Sequence, residues 1–78
     1  MIHELKILPE YFDEVRRGNK TFELRKDDRE YNIDDYLILK EWDGEYTGNK
    51  IGRVVTYVLR NVEKYGLKKG FAVLGFKS

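Results

Sequence analysis

The sequence predicts an α+β domain that is mainly β, a small pseudo-barrel or strongly curved sheet of five to six strands with one short helix near the N-terminus. Three observations predict it: the chain opens with a β-α-β pattern, the remainder is rich in short apolar strands, and the connections are short. The length fits one domain over residues 1–78. Closure of the sheet would also protect edges that so small a protein has few other means to cover.

The first two elements are a strand and a helix. Residues 2–8 form the strand, with apolar side chains at alternate positions. Pro9 suits the first turn of a helix, where its missing N–H group costs nothing. A short apolar stripe follows, and Gly18 is a typical residue just beyond a helix end. The helix is therefore predicted over residues 9–17.

The rest of the chain alternates strands with turns. Runs of Val, Ile, Thr and Tyr predict the strands, and pairs of Gly, Asn and Asp predict the turns. The predicted strands are 20–26, 36–42, 51–60 and 71–77, separated by a polar loop at 27–30, turn pairs at 43–44 and 48–49, and a helical turn at 62–65 that ends at Gly66. Residues 45–47 are too few for a strand to be assigned, and Tyr57, in mid-strand, is expected in the core.

Composition excludes several kinds of site. The chain has no cysteine and one histidine, His3, which leaves no means to build a disulfide, a thiolate metal site or a histidine metal site, and we expect no metal and no cofactor. The net charge of +1 combines −3 in residues 1–39 with +4 in residues 40–78, which is compatible with a local basic face. No signal peptide and no membrane-length apolar run is visible, which predicts a cytoplasmic protein without membrane contact. We expect a monomer or weak dimer.

The densest cluster of ionisable groups is the G-x-K-x-x-E-x-R run at residues 18–25. Alternate residues of a strand share a face. This alternation predicts that Phe22 and Leu24 are buried, while Thr21, Glu23 and Arg25 share the opposite face and Lys20 stands at the strand entrance. A carboxylate between two cations is either a binding site or an ordinary ion pair, and the spacing alone favours the ion pair.

The run and its surroundings resemble the ASCH domain (activating signal cointegrator homology), a branch of the PUA-like superfamily. The resemblance rests on the Pro-led helix ending at Gly18, the run at 18–25 and the acid-opened apolar strand Ile33-Asp34-Asp35-Tyr36-Leu37-Ile38-Leu39. The chain also looks like a compact, uncharacterised ASCH-like family common in phage and Firmicute genomes. One departure is Asp34, because many ASCH domains have Gly-Asp in this turn, and Asp lacks the freedom of Gly at positive φ. The resemblance implies a PUA-like pseudo-barrel, a cleft beside the helix, and recognition of RNA or a nucleotide.

This likeness assigns roles to the candidate site. Lys20 and Arg25 would contact phosphates or base acceptors, and Glu23 would orient them or accept a hydrogen bond from a base. Single-stranded RNA is often recognised by stacking on aromatic rings. The expected ligand-binding residues are therefore Lys20, Thr21, Glu23, Arg25, Arg17, Trp42 and Tyr46. For Trp42 the competing interpretation is barrel-end packing, and for Arg17 it is the helix dipole.

Two other functions stay open. Some small ASCH proteins are amidohydrolases on N4-acylated cytidine, in which case Lys20 and Glu23 would be catalytic. Glu23 stands where those enzymes carry a nucleophilic Thr, and Thr21, the nearest hydroxyl, is displaced by roughly 6–7 Å along the strand. Hydrolysis is therefore the weaker alternative. The near-neutral charge also fits a phage or host regulatory protein that binds another protein.

Overall fold

The computed structural model describes residues 1–78 and shows five strands, one α-helix and one 3-10 turn. The elements are β1 (Ile2–Ile7), α1 (Pro9–Arg16), β2 (Phe22–Lys26), β3 (Tyr36–Trp42), β4 (Tyr46–Leu59), the 3-10 turn Glu63–Tyr65 and β5 (Phe71–Phe76). The predicted helix, the helical turn and all four of the strands predicted after the helix are present. The predicted α+β, mainly β class is confirmed.

The strands form one sheet in the order β1-β3-β4-β5-β2. β1 and β3 are parallel, and the other pairs are antiparallel. The long β4 pairs with β3 through its first half and with β5 through its second, so the sheet bends along this strand. β1 and β2 remain edge strands, and the sheet is not closed into a barrel. On this point the predicted closure is wrong.

Two arginine side chains, one from β2 and one from the loop after it, bond to β1 where a closed barrel would have a backbone ladder. Arg25 Nη1 donates to the carbonyl oxygen of Lys6 at 3.1 Å, and Arg29 Nη1 donates to that of Glu4 at 3.0 Å. We call this junction the seam. Long arginine side chains, and not direct backbone hydrogen bonds, link the two edges at the seam. A gap therefore remains between β1 and β2 beside α1.

Two strand boundaries differ from the prediction. β2 begins at Phe22, two residues later than expected, and β4 begins at Tyr46 and continues through the predicted turn at 48–49. Gly48 adopts φ +95°, and the β3–β4 pairing shifts between Lys40 and Trp42. The Gly-Asn pair therefore marks an irregularity within a hairpin, for which glycine's freedom at positive φ is suited.

The core lies between the concave face of the sheet and α1. Alternate residues of β1 and β5 point into it, and Phe12 and Val15 cover it from the helix. The buried apolar residues are Leu5, Ile7, Phe12, Val15, Tyr31, Leu37, Leu39, Val55, Ala72, Leu74 and Phe76. Tyr57, expected in this core, is 60% exposed, because the β4–β5 register shifts between Val55 and Tyr57 and turns its ring outward. None of the helical segments has the length and apolar character needed to cross a membrane.

A buried polar cluster fixes the turn before β3. His3 Nε2 lies 2.8 Å from Asp35 Oδ2, which also accepts a hydrogen bond from the Asn32 backbone N–H at 3.0 Å. The His3 hydrogen bond is the main reason that the pKa of Asp35 falls from 3.8 to about 2, and burial opposes the shift. Asp34 adopts φ +77°, so this turn does require the conformation for which glycine is the usual residue.

Candidate functional site

A cleft of about 450 Å³ opens at the seam, between the end of β1, the first turn of α1 and β2. Its volume falls within the ~300–1,000 Å³ typical of small-molecule sites. The lining residues combine an apolar wall with four charged side chains; they are Lys6, Ile7, Leu8, Tyr11, Lys20, Phe22, Glu23, Leu24 and Arg25. The cleft exists because the sheet stays open here.

Glu23 is the buried carboxylate of this cleft. It is 5% exposed, and each of its oxygens faces a cation: Lys20 Nζ bonds to Oε1, and Arg25 Nη1 lies 3.5 Å from Oε2. The two cations offset the cost of burying the charge. Three residues of the run at 18–25, Lys20, Glu23 and Arg25, therefore meet in this cleft.

The face assignment of β2 was wrong. Phe22 and Leu24 are 47% and 55% exposed, and Glu23 points inward instead. The reason lies in the pairing with β5, where Glu23 stands opposite the buried Leu74. Alternation fixes which residues share a face, but the neighbouring strand decides which face is interior.

Lys20 and Arg25 are both held in place by the protein. Lys20 Nζ donates to the carbonyl oxygen of Phe22 at 2.6 Å and lies 4.9 Å from the centroid of that ring. Arg25 Nη1 donates one hydrogen bond, to the carbonyl oxygen of Lys6, and forms an ion pair with Glu23 at 3.5 Å, while Nε and Nη2 have no protein partner. The guanidinium thus retains N–H groups for another acceptor.

Six residues that line the cleft were not predicted as site residues: Lys6, Ile7, Leu8, Tyr11, Phe22 and Leu24. Lys6 lines the cleft from β1, and its Nζ lies 4.3 Å from the centroid of the Trp42 ring. Strand alternation places Lys6 outward on β1, and Pro9 places Tyr11 in the first turn of α1. No sequence signal indicates that the β1 and β2 edges meet, and this meeting is what brings these residues to the site.

Four expected residues do not line the cleft. Trp42 is half-buried and sits behind Lys6, and Tyr46, its cross-strand partner, lies under Lys40 Nζ at 4.6 Å. Arg17 is paired with Asp13 at 3.0 Å on the outer face of α1. Thr21 is exposed, and its carbonyl accepts the Phe76 N–H at 2.9 Å. Of these four residues, only Trp42 is shown in contact with a charged residue of the cleft lining, Lys6.

A second depression of similar volume, about 470 Å³, surrounds the ion pair of Arg60 and Asp27. Arg60 Nε and Nη2 donate to the two carboxylate oxygens at 2.7 and 3.1 Å. Asp28 and Glu30 add further negative charge to its lining. Since this charge opposes an anionic ligand, the cleft at the seam is the better candidate. No cluster of three or more His, Asp or Glu residues is arranged to hold a metal ion.

Two comparisons with known proteins place the chain in context. A sequence model of the family described as "Domain of unknown function (DUF3850)" matches residues 2–76. The chain is also similar to the "Uncharacterized 12.9 kDa protein in GpA 3'region" of Escherichia phage P2, with 48% identity over 58 residues. That alignment covers 73% of this chain and 53% of the phage protein, so the chain spans about half the length of this relative.

Proposed function

We propose that this chain, which belongs to the family described as Domain of unknown function (DUF3850), binds RNA or a nucleotide in the cleft between β1 and β2. The observation that carries the proposal is the convergence of Lys6, Lys20 and Arg25 on a cleft with an apolar wall. Cations beside an apolar surface match the phosphate and the base of a nucleotide.

The charge of the cleft supports an anionic ligand. Three cations and one carboxylate line it, which leaves two positive charges in a chain whose total is +1. Low-dielectric walls strengthen the attraction of such a cleft for a phosphate. Arg25 supplies the unpaired Nε and Nη2 donors, and Lys6 supplies an ammonium that lies 4.3 Å from the centroid of the Trp42 ring.

Glu23 acts in this proposal by positioning the cations. Both of its oxygens are engaged, by Lys20 and by Arg25, and only 5% of the residue is exposed. A base would have to displace one of these partners to reach it. Its role is therefore to hold Lys20 and Arg25 in the geometry that receives the ligand.

The wall of the cleft is suited to a base. Tyr11 lines the cleft from α1 and Phe22 lines it from β2, and Leu8 is a further apolar residue of the lining. A base stacked on an aromatic ring contributes about 1–3 kcal/mol of binding energy. Trp42 does not line the cleft, and its ring contacts Lys6 Nζ. In this proposal Trp42 therefore holds that lysine and does not stack on the base.

Two finer assignments belong to the same proposal. The β-α-β opening and the open, curved sheet support membership of the ASCH branch of the PUA-like superfamily. A nucleotide ligand is also in keeping with a cytoplasmic protein.

The hydrolase alternative has less support, because the phenol of Tyr11 is the sole hydroxyl among the lining side chains and Thr21 lies outside.

Binding of a fluorescein-labelled single-stranded RNA, followed by anisotropy at low salt, tests the proposal. Arg25→Gln and Lys6→Gln are expected to weaken binding about 5- to 20-fold and to reduce its salt dependence. Lys64→Gln, an exposed lysine on the 3-10 turn, is the matched control and should bind as the wild type does. The proposal fails if the wild type does not bind, or if all three variants bind equally.

A parallel incubation with N4-acetylcytidine separates binding from hydrolysis. Release of cytidine that disappears in Lys20→Ala would favour the hydrolase. A pull-down that recovers a protein partner and no RNA would favour the regulatory alternative.

A further inference from the structure

The convex side of the sheet carries an apolar surface that runs across three strands. Phe22, Gly75 and Tyr57 are aligned across β2, β5 and β4, and Leu24, Val73 and Leu59 form the next row. We call these six residues the aromatic face. They point away from the core, because the interleaved residues, such as Leu74, are the buried ones.

The aromatic face is exposed. Phe22, Leu24, Tyr57 and Leu59 are all more than one third exposed, and Tyr57 reaches 60%. A contiguous apolar surface of this kind on a small domain usually marks a binding site. The core does not need these side chains, since its own residues are already buried on the concave side.

The charged residues that point outward from these three strands are all basic, and the exposed Asp28 follows β2 in the loop. Lys26 continues the outward row of β2, opposite Phe71, and Lys77 follows the last residue of β5. Both lysines are exposed, and none of the outward residues of these three strands is acidic. Aromatic rings flanked by lysines are the combination that single-stranded nucleic acids bind.

Gly75 makes the middle of the face flat. It stands between Phe22 and Tyr57, whose backbones lie two strand spacings, or roughly 10 Å, apart. A Cβ at Gly75 would lie 3.7 Å from the Cβ of Tyr57, so glycine is not required there by packing. Because glycine has no side chain, nothing projects from β5 between the rings of Phe22 and Tyr57.

The aromatic face is continuous with the cleft. Phe22 lines the cleft and also belongs to the face. The ammonium of Lys20 lies 4.9 Å from the centroid of the Phe22 ring, at the border of the two surfaces. A chain that leaves the cleft past Phe22 would therefore meet Gly75 and Tyr57 next.

We propose that the aromatic face is a stacking surface for single-stranded RNA, which extends the cleft into a site for several nucleotides. This inference rests on the proposed function of the cleft. Tyr57 would stack on a base, and Lys26 and Lys77 would contact phosphates. A second copy of the chain fits the face less well, because the charged outward residues of the three strands are all basic and would be brought together.

The test compares two ligands by calorimetry and anisotropy: uridine monophosphate and an oligouridylate of about six nucleotides. The oligomer should bind more tightly than the mononucleotide. Tyr57→Ala should weaken oligomer binding about 5- to 100-fold and leave binding of the mononucleotide unchanged, whereas Tyr57→Phe, which keeps the ring, should bind both as the wild type does. Tyr65→Ala removes an exposed tyrosine outside the face and is the matched control. Changing Lys26 and Lys77 to Gln should lower the salt slope by about 0.7 for each lysine.

Each of the remaining outcomes of this test would overturn a different part of the two proposals. Equal affinity for the two ligands, or equal oligomer binding by Tyr57→Ala and Tyr65→Ala, would overturn the stacking surface and leave the cleft proposal standing. Tyr57-dependent binding that is insensitive to Arg25→Gln would overturn the cleft instead. No binding of either ligand would overturn both proposals, and a dimer seen by sedimentation that Tyr57→Ala dissociates would assign the face to a second copy.

Discussion

Arg25 donates a hydrogen bond from Nη1 to the backbone carbonyl of Lys6 at 3.1 Å, and this bond joins the two edge strands of the sheet. The same guanidinium faces Glu23 at 3.5 Å. Arg25 thus takes part both in joining the two edge strands at the seam and in balancing the charge of Glu23 in the cleft. Stability and binding should respond together when it is changed.

We expect Arg25→Ala to lower the free energy of unfolding by about 1–2 kcal/mol, because it removes a charge-assisted hydrogen bond and one partner of a buried carboxylate. The estimate is modest because 27% of the Arg25 side chain is exposed. Urea unfolding measures the change. Arg29→Ala is the control: Arg29 is exposed and bonds only to the Glu4 carbonyl, so it should cost less. Equal losses would contradict a special role for Arg25 at the seam.

Lys20 and Glu23 should show strong energetic coupling. The Glu23 side chain is 6% exposed and that of Lys20 is 17% exposed, so removing either leaves its partner charged in a poorly hydrated place. We expect Lys20→Met and Glu23→Gln each to destabilise the fold by about 1–3 kcal/mol. The double variant should cost less than the sum of the two losses. Additive losses in a urea double-mutant cycle would show that the pair does not act as a unit.

The sequence predicted much of the fold for local reasons. Pro9 and Gly18 mark the two ends of the helix, and the apolar run of β3 reads directly as a central strand. The face of β2 could not be predicted in the same way, since it depends on which side of β5 is buried. Lys6 joined the site for a similar reason: the seam is a meeting of two edges that lie far apart in sequence.

The stability of the protein should fall in acid because of Asp35. Its pKa is about 2 in the folded protein against an ordinary value of 3.8, chiefly because of the hydrogen bond with His3. A lowered pKa stabilises the fold above the unfolded value, and this contribution is lost as the pH falls from about 4 to about 2. Urea midpoints measured across that range should drop less in Asp35→Asn than in the wild type. Asp28→Asn, at an exposed aspartate, should keep the wild-type slope, and a wild-type slope in Asp35→Asn would contradict the assignment.

Gly52 should resist substitution because the side chain of Tyr36 lies across it. A Cβ at residue 52 would stand 1.7 Å from the Tyr36 hydroxyl oxygen and 2.5 Å from Cζ, so Gly52→Ala must displace the ring. Because Tyr36 is 41% exposed, the ring can move outward, and we expect a loss of about 1–3 kcal/mol rather than failure to fold. Gly75→Ala is the matched control in a neighbouring strand, since its Cβ would meet atoms no closer than 3.7 Å. In a Tyr36→Ala background the cost of Gly52→Ala should nearly vanish, because the displaced ring is then absent. An unchanged cost in that background, measured by urea unfolding, would place the strain in the backbone of β4 instead.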